Sequence, residues 1–344
     1  MTVLLALALV TLALSGAGPS LYPARVVWTN QIPYDPHSSV SVGEHGVFVA
    51  AGSEARSYDF NGSLVWTRQV GNAEYGIAYG IALGHDGVYV VGYSYVLMLD
   101  FNGNLIWSRQ FGAMDGSWPQ SVSVDSTGLY VAGSSDFYPR LAVGIVEKFD
   151  SRGNEIWTRQ IQATGLSSRP TGISAGPKGV YVVGENYCPT HSRCDPSAIQ
   201  GGFLEAFDHD GNELWDRQFV GCLIECLVGQ VSVAPTGIYI IGGPSFVGKY
   251  DFDDNLLWTV DAGPPETIPF GVSADSSGVY VVGLHYSLPF SAFVERLDFN
   301  GAKAWSLFFE TSRALSASTN ARGIFVTGDD FIAKVCASQS CIHN

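Results

Sequence analysis

The sequence predicts an all-β fold, a seven-bladed β-propeller of four-stranded antiparallel blades, and three recurring series carry that expectation. A tryptophan returns at Trp28, Trp66, Trp107, Trp157, Trp215, Trp258 and Trp305, with Trp118 alone outside the series. A short apolar strand closed by glycine returns seven times, from VFVAAG ending at Gly52 to IFVTG ending at Gly328. A polar turn closed by glycine (GHDG, DSTG, GPKG, APTG, DSSG) stands immediately before five of those strands. Each unit then holds four short strands, as in GIALG, VYVVG, VLMLD and LIWSRQ of the second unit. Self-similar units of about 40–45 residues with this content belong to propellers. A single small sheet cannot bury both faces, so neighbouring sheets must stack around an axis.

In chain order, residues 1–20 come first. The apolar run from Val3 to Leu14 ends in small residues, and no Lys or Arg precedes Arg25. That run suits the core of a signal peptide and is short for a bilayer span, so export is expected, with cleavage between Ser15 and Ser20 or retention as an N-terminal anchor. Residues 21–335 form the propeller. They open on ARVVWTNQ, a Trp strand with no unit before it, and the last unit stops after FIAKV without its own Trp strand. Joining these leftovers completes a seventh blade with an outer strand from the N-terminus, removing a free edge. Residues 336–344 are a C-terminal tail. No stretch after the leader is long and apolar enough to span a membrane.

Within a unit the residue types have physical jobs. Val, Ile and Tyr fill strands packed on both faces. Each Trp supplies apolar area between blades, and its indole N–H is positioned to bond a neighbouring carbonyl. Asp with Asn-Gly, as in DFNGN, makes the tight turn between third and fourth strands. The Arg of WTRQ (Arg68, Arg109, Arg159, Arg217) is expected to be structural and solvent-facing. Forty glycines, three methionines and the absence of a long amphipathic pattern agree with a turn-rich β protein. Lys and Arg total 18 against 32 Asp and Glu, a net charge of −14, which repels phosphate backbones and argues against nucleic-acid binding.

The turns joining first to second and third to fourth strands are short and fall on one face of the disc. The other connections vary widely and fall on the opposite face. They include SSDFYPRLA from Ser134, ENYCPTHSRCDPSAIQGG from Glu185, LHYSLPFSA from Leu284 and GAMDGSWPQ from Gly112. Irregular loops on a rigid scaffold concentrate binding residues. The candidates on this long-loop face are Trp118, Tyr138, Arg140, His191, His285 and Tyr286, side chains able to anchor a peptide or stack on a sugar.

Six cysteines fall in close pairs: Cys188 with Cys194, Cys222 with Cys226, and Cys336 with Cys341. In an exported chain they read as disulfides, local or between the first two pairs. The competing reading is zinc, because CPTHSRC places His191 between two thiols. DHDGN and DFDDN begin like calcium loops, yet both fall at the regular turn and lack the later Glu. No cofactor is expected beyond these calcium and zinc alternatives. The sequence contains no GxSxG, HExxH, P-loop or Rossmann fingerprint.

The blocks KFDSRGNEIWTRQ and GVSADSSGVYVVG resemble the β-propeller repeat family often labelled SBBP, and the resemblance covers nearly everything from Arg25 to Val335. It implies the propeller fold and a secreted or cell-surface setting. The Asp–turn–Gly–Trp pattern is also similar to the quinoprotein-type repeat. That family's eight blades and adjacent cysteines are not matched here. The expectation is a monomeric, exported, non-enzymatic propeller that binds a protein, peptide or glycan through its long-loop face. The alternatives are a lyase or hydrolase using His285, His191 and nearby carboxylates at the channel mouth, or a metal- or quinone-dependent redox protein.

Overall fold

The computed structural model describes residues 24–71, 76–112, 117–135, 141–161, 166–188, 201–220, 228–287, 289–338 and 341. They form seven four-stranded antiparallel sheets, the blades of a closed ring. Blade 1 runs from Ser39–Gly43 to Leu64–Gln69, blade 2 from Ala78–Leu83 to Leu105–Gln110, and blade 3 from Ser117–Asp125 to Glu155–Ile161. Blade 4 runs from Ser167–Gly176 to Glu213–Val220, blade 5 from Val228–Ala234 to Leu256–Asp261, and blade 6 from Thr267–Ala274 to Lys303–Phe309. Blade 7 takes three strands from the end of the chain, Ala314–Asn320, Gly323–Gly328 and Phe331–Cys336, and its outer strand, Arg25–Gln31, from the beginning. That outer strand pairs antiparallel, with Arg25 opposite Cys336 and Gln31 opposite Phe331. The ring closure expected from the two leftovers is therefore present.

The core lies between blades. Second strands such as Gly46–Ala51 and Val88–Gly92 are buried along their whole length, because each sheet has a neighbour on both faces. Tyr89, Val91 and Trp107 of blade 2 cluster with Leu129, Val131 and Phe149 of blade 3. Tyr181 and Leu204 of blade 4 cluster with Ile238 and Tyr250 of blade 5.

Two sets of hydrogen bonds cross the joints. Near the axis, serines of one inner strand accept backbone N–H groups of the next: Ser41 from Leu83, Ser123 from Ala175, Ser174 from Val233 and Ser232 from Ala274. Ser316 and Ser318 of blade 7 accept Val40 and Val42 of blade 1, closing the circle. At the rim, the indoles of Trp28, Trp66, Trp107, Trp157, Trp215 and Trp258 donate to a carbonyl in the next blade's turn, at Phe60, Phe101, Ser151, His209, Phe252 and Phe299.

The turn itself is held by its Asp. One oxygen of Asp100, for example, accepts the N–H groups of Asn102 and Asn104 while the other accepts the Asn104 side chain. Gly103 sits at φ 82, where a Cβ would lie 2.9 Å from the Trp66 ring. Asp, Gly and Trp recur together because the turn of each blade is the socket for the indole of the one before it.

Cys336 and Cys341 form a disulfide, as expected of the tail. Cys188 is disulfide-bonded. The expectations for Cys194, Cys222 and Cys226, and for a leader over residues 1–20, lie outside the described residues. No helix among the described residues is long and apolar enough to cross a membrane.

Candidate functional site

The inner strands begin on the long-loop face and run toward the short turns, so their first residues surround one mouth of the axial channel. At that point six of the seven carry the same irregularity. Register slips between Ala78 and Gly80, Pro119 and Ser121, Pro170 and Gly172, Val228 and Gln230, Pro269 and Gly271, and Ala314 and Ser316. Each slip is a β-bulge that leaves one residue out of the ladder. Proline at 119, 170 and 269 suits the place, because it has no N–H to pair.

The residues set between the slipped positions are Tyr79, Gln120, Thr171, Gly229, Phe270 and Leu315, and all but Gly229 line a cavity of about 230 Å³ at the mouth, together with His37 and Gln230. The result is a cup of aromatic rings, amides and hydroxyls supplied by every blade.

The ionic groups beside the cup are paired. Arg313 donates to Asp329 at 2.9 Å while its guanidinium lies 5.2 Å from the Phe270 ring. Arg169 pairs with Glu185. His37 Nδ1 stands 3.4 Å from the buried Asp35 carboxylate, with its ring edge-on to Tyr79 at 5.1 Å. The Tyr79 hydroxyl is raised above its ordinary pKa by burial, and secondarily by Asp35 and Tyr93, so it stays a neutral donor at physiological pH. A cup of this kind favours uncharged polar and apolar groups over free ions.

Of the residues singled out from sequence, Trp118 opens the inner strand of blade 3, 40% exposed, its ring 5.8 Å from Tyr93 of blade 2. Tyr286 is 46% exposed on the loop after the second strand of blade 6, where its N–H donates to the Glu266 carbonyl. Phe290, 55% exposed, lies on the same loop. His285 ends that strand. Its Nε2 is 2.7 Å from the Ser287 hydroxyl and its ring is edge-on to Phe308, and it is not among the residues lining the cup. Tyr138, Arg140 and His191 lie outside the described residues.

Sequence reasoning missed the bulge residues themselves. Their signal was a variable residue between two small or proline positions, as in AYG, PQS, PTG, PFG and ALS. Among the described residues no three His, Cys, Asp or Glu side chains are grouped to hold a metal ion.

No family model matches the sequence, and no curated protein matches it. Solved structures do. The WD40 β-propeller domain of Doa1 superposes with a TM-score of 0.63 at 10% identity, over 93% of this chain and 99% of that one. BamB from Moraxella catarrhalis gives 0.54 at 12% identity, over 91% and 97%. A chain of the mitotic checkpoint complex gives 0.66 at 14% identity, over 97% and 98%. Likeness at this identity is likeness of fold.

Proposed function

We propose that this protein is an exported, non-enzymatic propeller of the SBBP repeat kind, which binds a polypeptide segment of a partner protein on its long-loop face. The observation that supports the reading is the cup: five of the six aligned bulges bring Tyr79, Gln120, Thr171, Phe270 and Leu315 to one mouth, with Trp118, Tyr286 and Phe290 exposed on the same face. Bulges re-aim side chains and interrupt the ladder, so repeating them around one mouth sacrifices pairing where a plain strand would suffice. Aromatic rings give large contact area at low entropic cost, and amides with hydroxyls suit a peptide backbone.

The neighbours are consistent with a protein partner, one of them being a chain of a checkpoint complex. The disulfide at Cys336–Cys341 is consistent with an oxidising compartment.

The reading is tested by screening the protein, without its leader, against arrays of peptides and glycans and then measuring the best binder by calorimetry. Tyr79→Ala and Phe270→Ala are each expected to weaken binding at least tenfold, a loss of about 1.4 kcal/mol or more, with little change in melting temperature. Trp118→Ala and Tyr286→Ala are expected to weaken it less, as rim contacts. Binding that survives all four substitutions places the partner elsewhere. Selective capture of glycans replaces the polypeptide in this proposal with a sugar.

A further inference from the structure

Charge on the long-loop face is distributed unevenly around the ring. From the connection entering blade 1 round to blade 4, Glu54 pairs with Arg56, Glu185 pairs with Arg169, and Asp35 lies beside His37. Over blades 5 to 7 the balance changes. Asp261 ends the outer strand of blade 5, Glu266 precedes the inner strand of blade 6, Glu310 follows its outer strand, and Asp330 stands just before Phe331–Cys336. All four are exposed. Asp261 and Asp330 accept only the Ser245 and Ser312 hydroxyls, which leave their charge uncompensated. The cation of this arc among the described residues, Arg313, is taken by Asp329.

Arg313 shows how this arc holds a cation. Its guanidinium donates to the Asp329 carboxylate at 2.9 Å and lies 5.2 Å from the ring of Phe270, a residue of the cup. Carboxylate and ring face attract the same positive charge, one by Coulomb's law and the other through its quadrupole. Blade 6 builds a second such combination close by. The Tyr286 N–H donates to the Glu266 carbonyl at 2.9 Å, so the two backbones adjoin, and both side chains are exposed, Tyr286 at 46%. Phe290, 55% exposed, lies on the same loop as Tyr286.

Resting on the reading of the cup as a polypeptide site, we propose that the bound segment carries a Lys or Arg beside its uncharged part. That cation is received on blade 6 by the Glu266 carboxylate and the Tyr286 and Phe290 rings. Glu310, Asp330 and Asp261 surround the place and add an attractive field that guides the segment in. The cup and the arc then divide the work: neutral side chains and backbone enter the mouth, and the charge stays outside it.

An organic cation suits the arc better than a metal ion does. Among the described residues no three His, Cys, Asp or Glu side chains come together as ligands, whereas a guanidinium or ammonium on a flexible stem needs one carboxylate and a ring. A phosphorylated or acidic segment is disfavoured by the same field. The net charge of −14 on the whole chain acts in the same direction at longer range.

The test is an array of uncharged peptides with blocked ends, each printed in three forms, flanked at both ends by Gly, by Arg or by Glu. Peptides captured in the Gly form are expected to bind about fivefold more tightly or better in the Arg form, and more weakly in the Glu form. The gain should vanish at about 0.5 M salt. Glu266→Gln keeps the carbonyl that Tyr286 uses, and it should cut the gain about twofold or more, as should Tyr286→Ala. Glu44→Gln, the same change of net charge at an exposed site on the short-turn face, should leave it intact. Equal capture of Gly and Arg forms, or an equal gain in all three variants, overturns the inference while binding lost in Phe270→Ala still upholds the cup. Capture of no peptide in any form overturns both.

Discussion

Glu147 makes the stability of this propeller fall as pH rises through neutrality. The side chain lies on the third strand of blade 3 and is only 4% exposed. One carboxylate oxygen accepts the Gly112 N–H at 3.0 Å, and the other has no partner. Burial raises its pKa from an ordinary 4.5 to about 7, opposed by the Gly112 hydrogen bond and aided slightly by Glu155. The folded protein therefore keeps a proton that the unfolded chain releases. The associated stabilisation is complete below pH 4.5 and is lost progressively as pH climbs to about 7. At about 1.4 kcal/mol per tenfold change in proton affinity, the loss comes to about 3 kcal/mol. For a ring of this size that is on the order of 5 °C in melting temperature.

Glu205, raised to about 8 by burial and then by Glu213 and Asp216, extends the decline to higher pH. Asp100, Asp150, Asp208 and Asp251 oppose it at the acid end. Each is lowered first by its Asn side-chain bond, so their contribution is present above the usual carboxylate range and disappears only in stronger acid. The assay is calorimetric or urea unfolding of wild type and Glu147→Gln at pH 5, 6, 7 and 8. The glutamine keeps an acceptor for Gly112 and cannot ionise, so the wild-type decline should shrink by about 3 kcal/mol. Parallel pH profiles for the two proteins would refute the reasoning.

The closing strand and the turn sockets give two further expectations. Trp28→Ala should lower stability by about 3 kcal/mol, as for other large aromatic truncations at a packed joint. Deleting residues 24–31 should lower it further and cause association through the exposed edge of Phe331–Cys336, seen by calorimetry and light scattering; an unaltered melt would contradict ring closure. Gly103→Ala forces a left-handed φ of 82 and places a methyl 2.9 Å from the Trp66 ring, whereas Gly52→Ala, at φ 59, meets nothing nearer than Pro33 at 3.8 Å. The first should cost about 2 kcal/mol or more and the second about 1, and equal costs by urea unfolding would show that the socket is not tight.

The blades were legible because each strand's identity is local. VYVVG between two turns is a buried strand wherever it stands, and DFNGN is a turn from its own hydrogen bonds. Joints are a different matter, since they depend on which turn meets which strand across the ring. The Arg of WTRQ reads from sequence as structural and solvent-facing. In the fold Arg109 and Arg159 donate to the turn carbonyls of Gly153 and Gly211 in the next blade while remaining partly exposed. The serine bonds around the axis and the six bulges were equally hidden. A Ser in SVSVD has no assigned partner until a second inner strand is brought beside it, and a slipped register leaves no mark on composition. Loop length pointed to the long-loop face, while the residues of the cup on that face came only from the closed ring.

Blade 5 shows how far the joint, and not the repeat, constrains the chain. There the glycine of the turn is replaced by Asp254, held at φ 67. A side chain at that angle is strained, and a glycine in its place would relieve the backbone. The preceding blade supplies the compensation. Arg217 approaches the Asp254 carboxylate at 2.7 and 2.9 Å and donates to its carbonyl at 2.8 Å, while Trp215 still reaches Phe252. In blades 3 and 4 the preceding Arg meets the turn only at backbone carbonyls, Gly153 and Arg152 for Arg109 and Gly211 for Arg159. The departure from the repeat in one unit is thus answered by a charge in its neighbour, so the unit that folds is the pair formed by one blade's outer strand and the next blade's turn.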